Sequence, residues 1–137
     1  MLATSKNLVI EVTEHAQVDD YPAFAQALSP LRALGVRLAI DDAGAGFASL
    51  RHILLLQPSL IKLDLSLVRG LDSSVPQQAL ALALTTFAHS INAQVVAEGI
   101  ETEAELQALL SLGVDCGQGY LLGRPSFLPN STIEVTS

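Results

Sequence analysis

The sequence predicts a parallel α/β fold, and three observations carry that prediction. Short apolar runs alternate with longer stretches of helical periodicity. The runs are apolar almost throughout, as strands covered on both faces are. Polar residues gather where those runs end. Half of the 137 residues are apolar and only 15% are charged, a composition that builds a core.

The candidate strands are residues 7–13 (NLVIEVT), 36–41 (VRLAID), 60–65 (LIKLDL), 94–98 (QVVAE) and 118–122 (QGYLL). Between the first two, Tyr21, Phe24, Leu28, Leu31 and Leu34 recur at helical spacing, and Gly35 stands where a helix ends. Pro30 falls inside that pattern and predicts a kink or a split. Residues 47–56 form a second helix that stops before Pro58. Leu80, Leu84, Phe87 and Ile91 mark a third, with Pro76 in its first turn. Thr102 and Glu105 make a capping box for a fourth, which Gly113 ends. Residues 1–127 read as one unit and 128–137 as a polar tail at its fringe.

Bulk properties narrow the function. A net charge of −7 argues against DNA and other non-specific nucleic-acid binding. No apolar stretch reaches the 18 or more residues that a membrane span needs, and residues 1–12 carry no signal-peptide core. A soluble cytoplasmic protein is the expectation. The lone Cys116 excludes an internal disulfide and reads as a small buried side chain.

Ligands of parallel α/β sheets bind at the carboxyl ends of the strands. Glu11 lies near the end of the first candidate strand, Asp41 and Asp42 end the second, and Lys62 and Asp64 lie in the third. Glu98 ends the fourth and Gln118 opens the fifth. Gathered carboxylates raise one another's pKa, and a hard cation such as Mg²⁺ or Mn²⁺ relieves that. Two such ions are the usual apparatus for phosphodiester displacement. A lysine nearby can orient or help activate the attacking water and counter phosphate charge. The small run Ala43-Gly44-Ala45-Gly46 lets backbone approach a ligand. These residues point to a metal-dependent phosphodiesterase site.

Plainer readings stand beside it. Asp41 and Asp42 can cap the following helix, and Glu11 and Glu14 can be solvated strand ends. Lys62 can pair with Asp64 or Asp41, and Glu101 can cap the loop or the next helix. His15, His52 and His89 share no ligand spacing and read as surface or core residues. Gly99 and Gly117 read as turn residues.

The stretches EVTE (11–14), DDAGAGFASL (41–50), IKLD (61–64), VVAEGIET (95–102) and QGYLLGRP (118–125) stand in the order of the EAL family. The chain resembles these cyclic di-GMP phosphodiesterases over residues 7–125. The resemblance implies two-metal hydrolysis of cyclic di-GMP to linear pGpG in bacterial second-messenger signalling, with Mg²⁺ or Mn²⁺. It implies Glu11, Asp41, Asp42 and Glu98 as metal ligands and Lys62 and Glu98 as catalytic residues. Gln118, Gly44 and Gly46 belong to the substrate and loop side, and Glu101 steadies the loop after the two aspartates.

Three departures accompany the match. The family loop DDFGTGYSSL has Ala43, Ala45 and Phe47 here in place of Phe, Thr and Tyr. The namesake Glu-Ala-Leu motif and an asparagine ligand of the next strand are not among these residues. The chain begins at what would be the fourth of eight strands of a TIM-type (β/α) barrel, so a partial barrel of five strands is expected. A whole barrel takes about 250 residues. Exposed sheet edges and an exposed inner face are therefore expected. The readings are a phosphodiesterase, a non-catalytic module binding cyclic di-GMP or a protein, and a surface by which two copies rebuild a barrel as a homodimer.

Overall fold

Six strands form one sheet in the order β5-β4-β3-β2-β1-β6, and every pairing is parallel. The computed structural model describes residues 8–13, 16–43, 47–117 and 131–135. The strands are β1 (Leu8–Val12), β2 (Arg37–Ala43), β3 (Leu60–Leu63), β4 (Gln94–Ala97), β5 (Cys116–Gly117) and β6 (Ser131–Val135). The helices are α1 (Tyr21–Ala33), α2 (Phe47–Leu56), α3 (Leu65–Val68), α4 (Val75–Ser90) and α5 (Glu103–Ser111).

Local chemistry explains the helix boundaries. Asp20 caps α1 by accepting the Ala23 N–H at 3.1 Å. The helix runs through Pro30 unbroken. Pro30 lies on the exposed side while Leu28 anchors the buried one, so the lost hydrogen bond faces solvent. From the last turn of α1, Arg32 donates to the carbonyls of Leu56 and Gln57 at 3.1 and 2.8 Å. It thereby satisfies orphan groups at the end of α2. Ser74 caps α4, and the Thr102–Glu105 capping box opens α5 as its spacing predicts.

The third strand is shorter than expected. It ends at Leu63, and Asp64 caps α3 by accepting the Ser66 N–H at 3.0 Å. Residues 118–122, expected as the fifth strand, lie outside the described residues. Strand β5 is placed just before them, and it includes Gly117, which the sequence reads as a turn residue. The segment read as a polar fringe contributes β6, which pairs with β1. Its Thr-Ile-Glu-Val run has strand character, and a strand edge with unpaired backbone groups is a ready template for it.

Period-two alternation divides the sheet. On one face Ile10, Val12, Leu38, Ile40, Ile61, Leu63, Val95 and Ala97 join the main core with Leu28, Ile53, Leu84 and Leu109 of the helices. On the other, Val9, Ala39, Leu60 and Val96 form a separate buried cluster. That inner face was expected to be exposed, and at this level it is not. Four small or medium side chains from adjacent strands pack on one another as a layer of barrel interior does.

A candidate active site on the inner face of the sheet

The inner-face positions that follow the apolar layer are polar. Two residues beyond Val9 is Glu11, beyond Ala39 is Asp41, beyond Leu60 is Lys62, and beyond Val96 is Glu98. Register confirms a shared face, since Glu11 is level with Ala39, Ala39 with Leu60, and Lys62 with Val96. All four lie toward the carboxyl ends of their strands.

Lys62 joins the group. Its Nζ lies 3.0 Å from Glu11 Oε2 and 3.7 Å from Glu98 Oε1. Glu11 and Lys62 are buried, at 5% and 8% exposure. Burial alone would push the Lys62 ammonium down, but the charges of Glu98, Glu11 and Asp41 outweigh it and hold the lysine above its ordinary value. Lys62 therefore stays charged. Its ion pairs are with Glu11 and Glu98, with the Asp41 charge acting beside them, and not with Asp64. Asp64 is occupied with Ser66.

Burial pushes Glu98 up to about 7. Lys62 opposes the shift, while the charges of Asp41 and Glu11 and a hydrogen bond with Asp41 add to it. One ammonium does not fully offset the carboxylates at this spot.

The two aspartates depart from regular strand geometry. Between Ile40 and Ala43 the register with β3 slips, so three steps along β2 match two along β3. Asp42 sits at φ +57°, and its N–H donates to Asp41 Oδ1 at 2.9 Å. A bulge is how a strand frees a residue from strict alternation, at some backbone strain. Without it, consecutive residues would go to opposite faces, and Asp42 would enter the apolar core.

The remaining expected residues fall elsewhere. Glu101 pairs with Arg69 at 2.9 Å, both side chains about half exposed. Gln118, Gly44, Gly46, Glu14 and His15 lie outside the described residues, as does the side chain of Cys116. His52 is buried and bonded through Nδ1 to the Tyr21 hydroxyl at 3.0 Å, tying α2 to α1. His89 pairs with Asp115 at 2.7 Å. Both are structural, as their spacing suggests. Sequence reading missed Arg69 entirely and saw Glu105 only as half of a capping box. A buried glutamate leaves no mark in a helix pattern that a solvated one would not.

The donor set suits a hard divalent cation in its chemistry, being carboxylates with surplus negative charge. Among the described residues, no three Asp, Glu, His or Cys groups already stand in an ion-holding arrangement.

The profile of the EAL domain matches residues 2–125. This chain belongs to the EAL domain family. MucR of Pseudomonas aeruginosa, a bifunctional diguanylate cyclase/cyclic di-GMP phosphodiesterase, is 38% identical over 119 residues, covering 87% of this chain and 17% of MucR. The manganese/cy-diGMP complex of Klebsiella pneumoniae BlrP1 is similar at a TM-score of 0.78 and 38% identity, over 88% of this chain and 31% of BlrP1. BluF of Escherichia coli, a blue light- and temperature-regulated antirepressor, is 34% identical over 119 residues, covering 87% of this chain and 30% of BluF. The chain thus spans less than a third of the length of each of these relatives. The sheet is accordingly part of an EAL barrel, a TIM-type fold. Among the described residues no helix is long and apolar enough to cross a membrane.

Proposed function

We propose that this EAL chain carries the cyclic di-GMP phosphodiesterase site of its family, opening the cyclic dinucleotide to linear pGpG. The observation that supports this best is the buried Lys62, held between Glu11 and Glu98 at the carboxyl ends of parallel strands. An ion pair this buried gains little stability over apolar packing, so its retention fits a working site.

In this reading Glu11, Asp41, Asp42 and Glu98 hold Mg²⁺ or Mn²⁺. When bound, such ions stabilise charge on the scissile phosphate and acidify water. The oxygen of a water bonds to phosphorus, the P–O3′ bond breaks, and a proton goes to the departing 3′ oxygen. Against these carboxylates Lys62 is held in its charged form. Its part is to donate hydrogen bonds, to orient or help activate the attacking water, and to offset phosphate charge. Gln118, Glu101, Gly44 and Gly46 serve the substrate and the loop beside it. A cytoplasmic setting and a homodimer belong to the same reading.

A second reading is a non-catalytic module that binds cyclic di-GMP or a protein. It is favoured by the kinship with the antirepressor BluF. The deciding experiment incubates the chain with cyclic di-GMP and Mn²⁺ and follows pGpG. Turnover that disappears in Lys62→Ala supports the phosphodiesterase. A folded chain that binds cyclic di-GMP without turnover supports the module.

A further inference from the structure

The Glu105 carboxylate is buried, at 5% exposure, and belongs to no part of the site described above. One oxygen, Oε1, accepts the N–H groups of Glu101 and Thr102 at 2.9 and 3.3 Å. The other, Oε2, accepts the N–H of Gly70 at 2.9 Å, 35 residues away in sequence. A capping box needs only the first of these. The second crosses to the turn after α3, the helix that directly follows the strand of Lys62.

Other contacts run the same way. Glu98 opens the segment between β4 and α5, and Gly99 follows at φ +79°. A Cβ on Gly99 would collide with the Leu65 side chain of α3, so the loop lies against that helix. Ile100 is fully buried. Arg69, next to Gly70, pairs with Glu101 at 2.9 Å. The loop that starts with Glu98 is thus held at several points to the segment that follows Lys62.

We propose that Glu105 is a positioning residue, which sets Glu98 against Lys62 by clamping the β4–α5 loop to Gly70. The proposal rests on the phosphodiesterase reading and adds to it. The Lys62–Glu98 separation of 3.7 Å is at the outer limit of an ion pair, so a small shift of the loop breaks it. Partners that orient a ligand from behind change metal affinity or activity by about 10–100-fold when lost.

Glu105→Gln is the discriminating variant. Its amide oxygen can still serve the Glu101 and Thr102 N–H groups, but its NH₂ then meets the Gly70 N–H, donor against donor. Thr102→Ala is the control, removing the helix cap and leaving the clamp. Arg69→Ala is a second probe at a half-exposed side chain, with no buried defect. The measurements are thermal stability, Mn²⁺ binding by calorimetry, and kcat and KM for cyclic di-GMP.

Glu105→Gln is expected to weaken Mn²⁺ binding about 10-fold and lower kcat with little change in KM. Arg69→Ala moves Mn²⁺ binding in the same direction by about threefold, a share of that loss. Thr102→Ala lowers stability alone. Wild-type Mn²⁺ affinity in both Glu105→Gln and Arg69→Ala overturns the proposal, as does an equal loss in Thr102→Ala. A wild-type chain that binds no Mn²⁺ overturns the functional reading and the proposal with it. The two failures are therefore told apart in the wild type.

Discussion

Lys62 Nζ stands 3.0 Å from Glu11 Oε2, although β2 separates their strands. The stagger of the sheet makes this reach possible. Glu11 is level with Ala39, Ala39 is level with Leu60, and Lys62 is two residues further on. The Ala39 methyl group leaves room on β2 beside Glu11, and Asp41, two residues on, shares the face with Lys62 and acts on its charge.

That pair predicts an outcome for Lys62→Ala beyond lost turnover. Removing one partner of a buried ion pair costs about 3–5 kcal/mol, because the other charge is left without compensation. Here the Glu11 carboxylate loses its ammonium partner, and the charges of Glu98 and Asp41 stand at the same spot. Without added metal the variant is expected to melt well below wild type, and Mn²⁺ should raise its melting temperature more than it raises that of wild type. Calorimetric melts with and without Mn²⁺ check this, and an equal rise in both proteins refutes it.

Ala39, level with Glu11, is fully buried. Ala39→Leu inserts bulk into the layer it shares with Val9, Leu60 and Val96. Overpacking of this kind costs about 1–3 kcal/mol. The expected result is a lower urea midpoint, with pGpG formation falling more than stability accounts for, since Glu11 and Lys62 are forced apart. A variant as active as wild type would show that the pair tolerates separation.

His52 makes stability depend on pH. Burial holds its pKa below the ordinary 6.5, and the Arg51 charge adds to this, while the backbone of Ala16 and Thr13 opposes. The unfolded chain therefore takes up a proton at a pH where the folded chain does not. The resulting stability is whole above pH 6.5 and is lost as pH falls below it. Glu98 acts in the opposite sense, since its folded pKa of about 7 lies above the ordinary 4.5 and stabilises the fold as pH falls through that window. The His52 share is read by difference. Without metal, His52→Phe should lose less stability than wild type between pH 7.5 and 5.5. Parallel curves for the two proteins would remove His52 from the account.

Much of the site was legible along the chain because strand periodicity is simple. An apolar run that ends in Glu11, Asp41 or Glu98 declares both its strand and its end. The partners of Lys62 were not legible, because stagger between strands is a property of the assembled sheet and leaves no trace in one strand's pattern. The slip between Ile40 and Ala43 was hidden for a similar reason. Two adjacent aspartates suit a helix cap and a bulge equally well. Asp64 was misplaced on a strand face because Lys62 and Asp64 have strand spacing, while the Ser66 N–H that draws Asp64 into a cap is a local competitor.

By itself the sequence determined the parallel α/β plan, the polar strand ends and the family motifs, since each depends on spacing within one segment. Only the tertiary structure decided that Lys62 bridges Glu11 and Glu98, that Asp42 leaves the alternation, that β6 joins β1, and that Glu105 reaches Gly70. Each of these joins residues distant in sequence or depends on register between strands. Such contacts are set by packing of the whole sheet, which no single segment encodes.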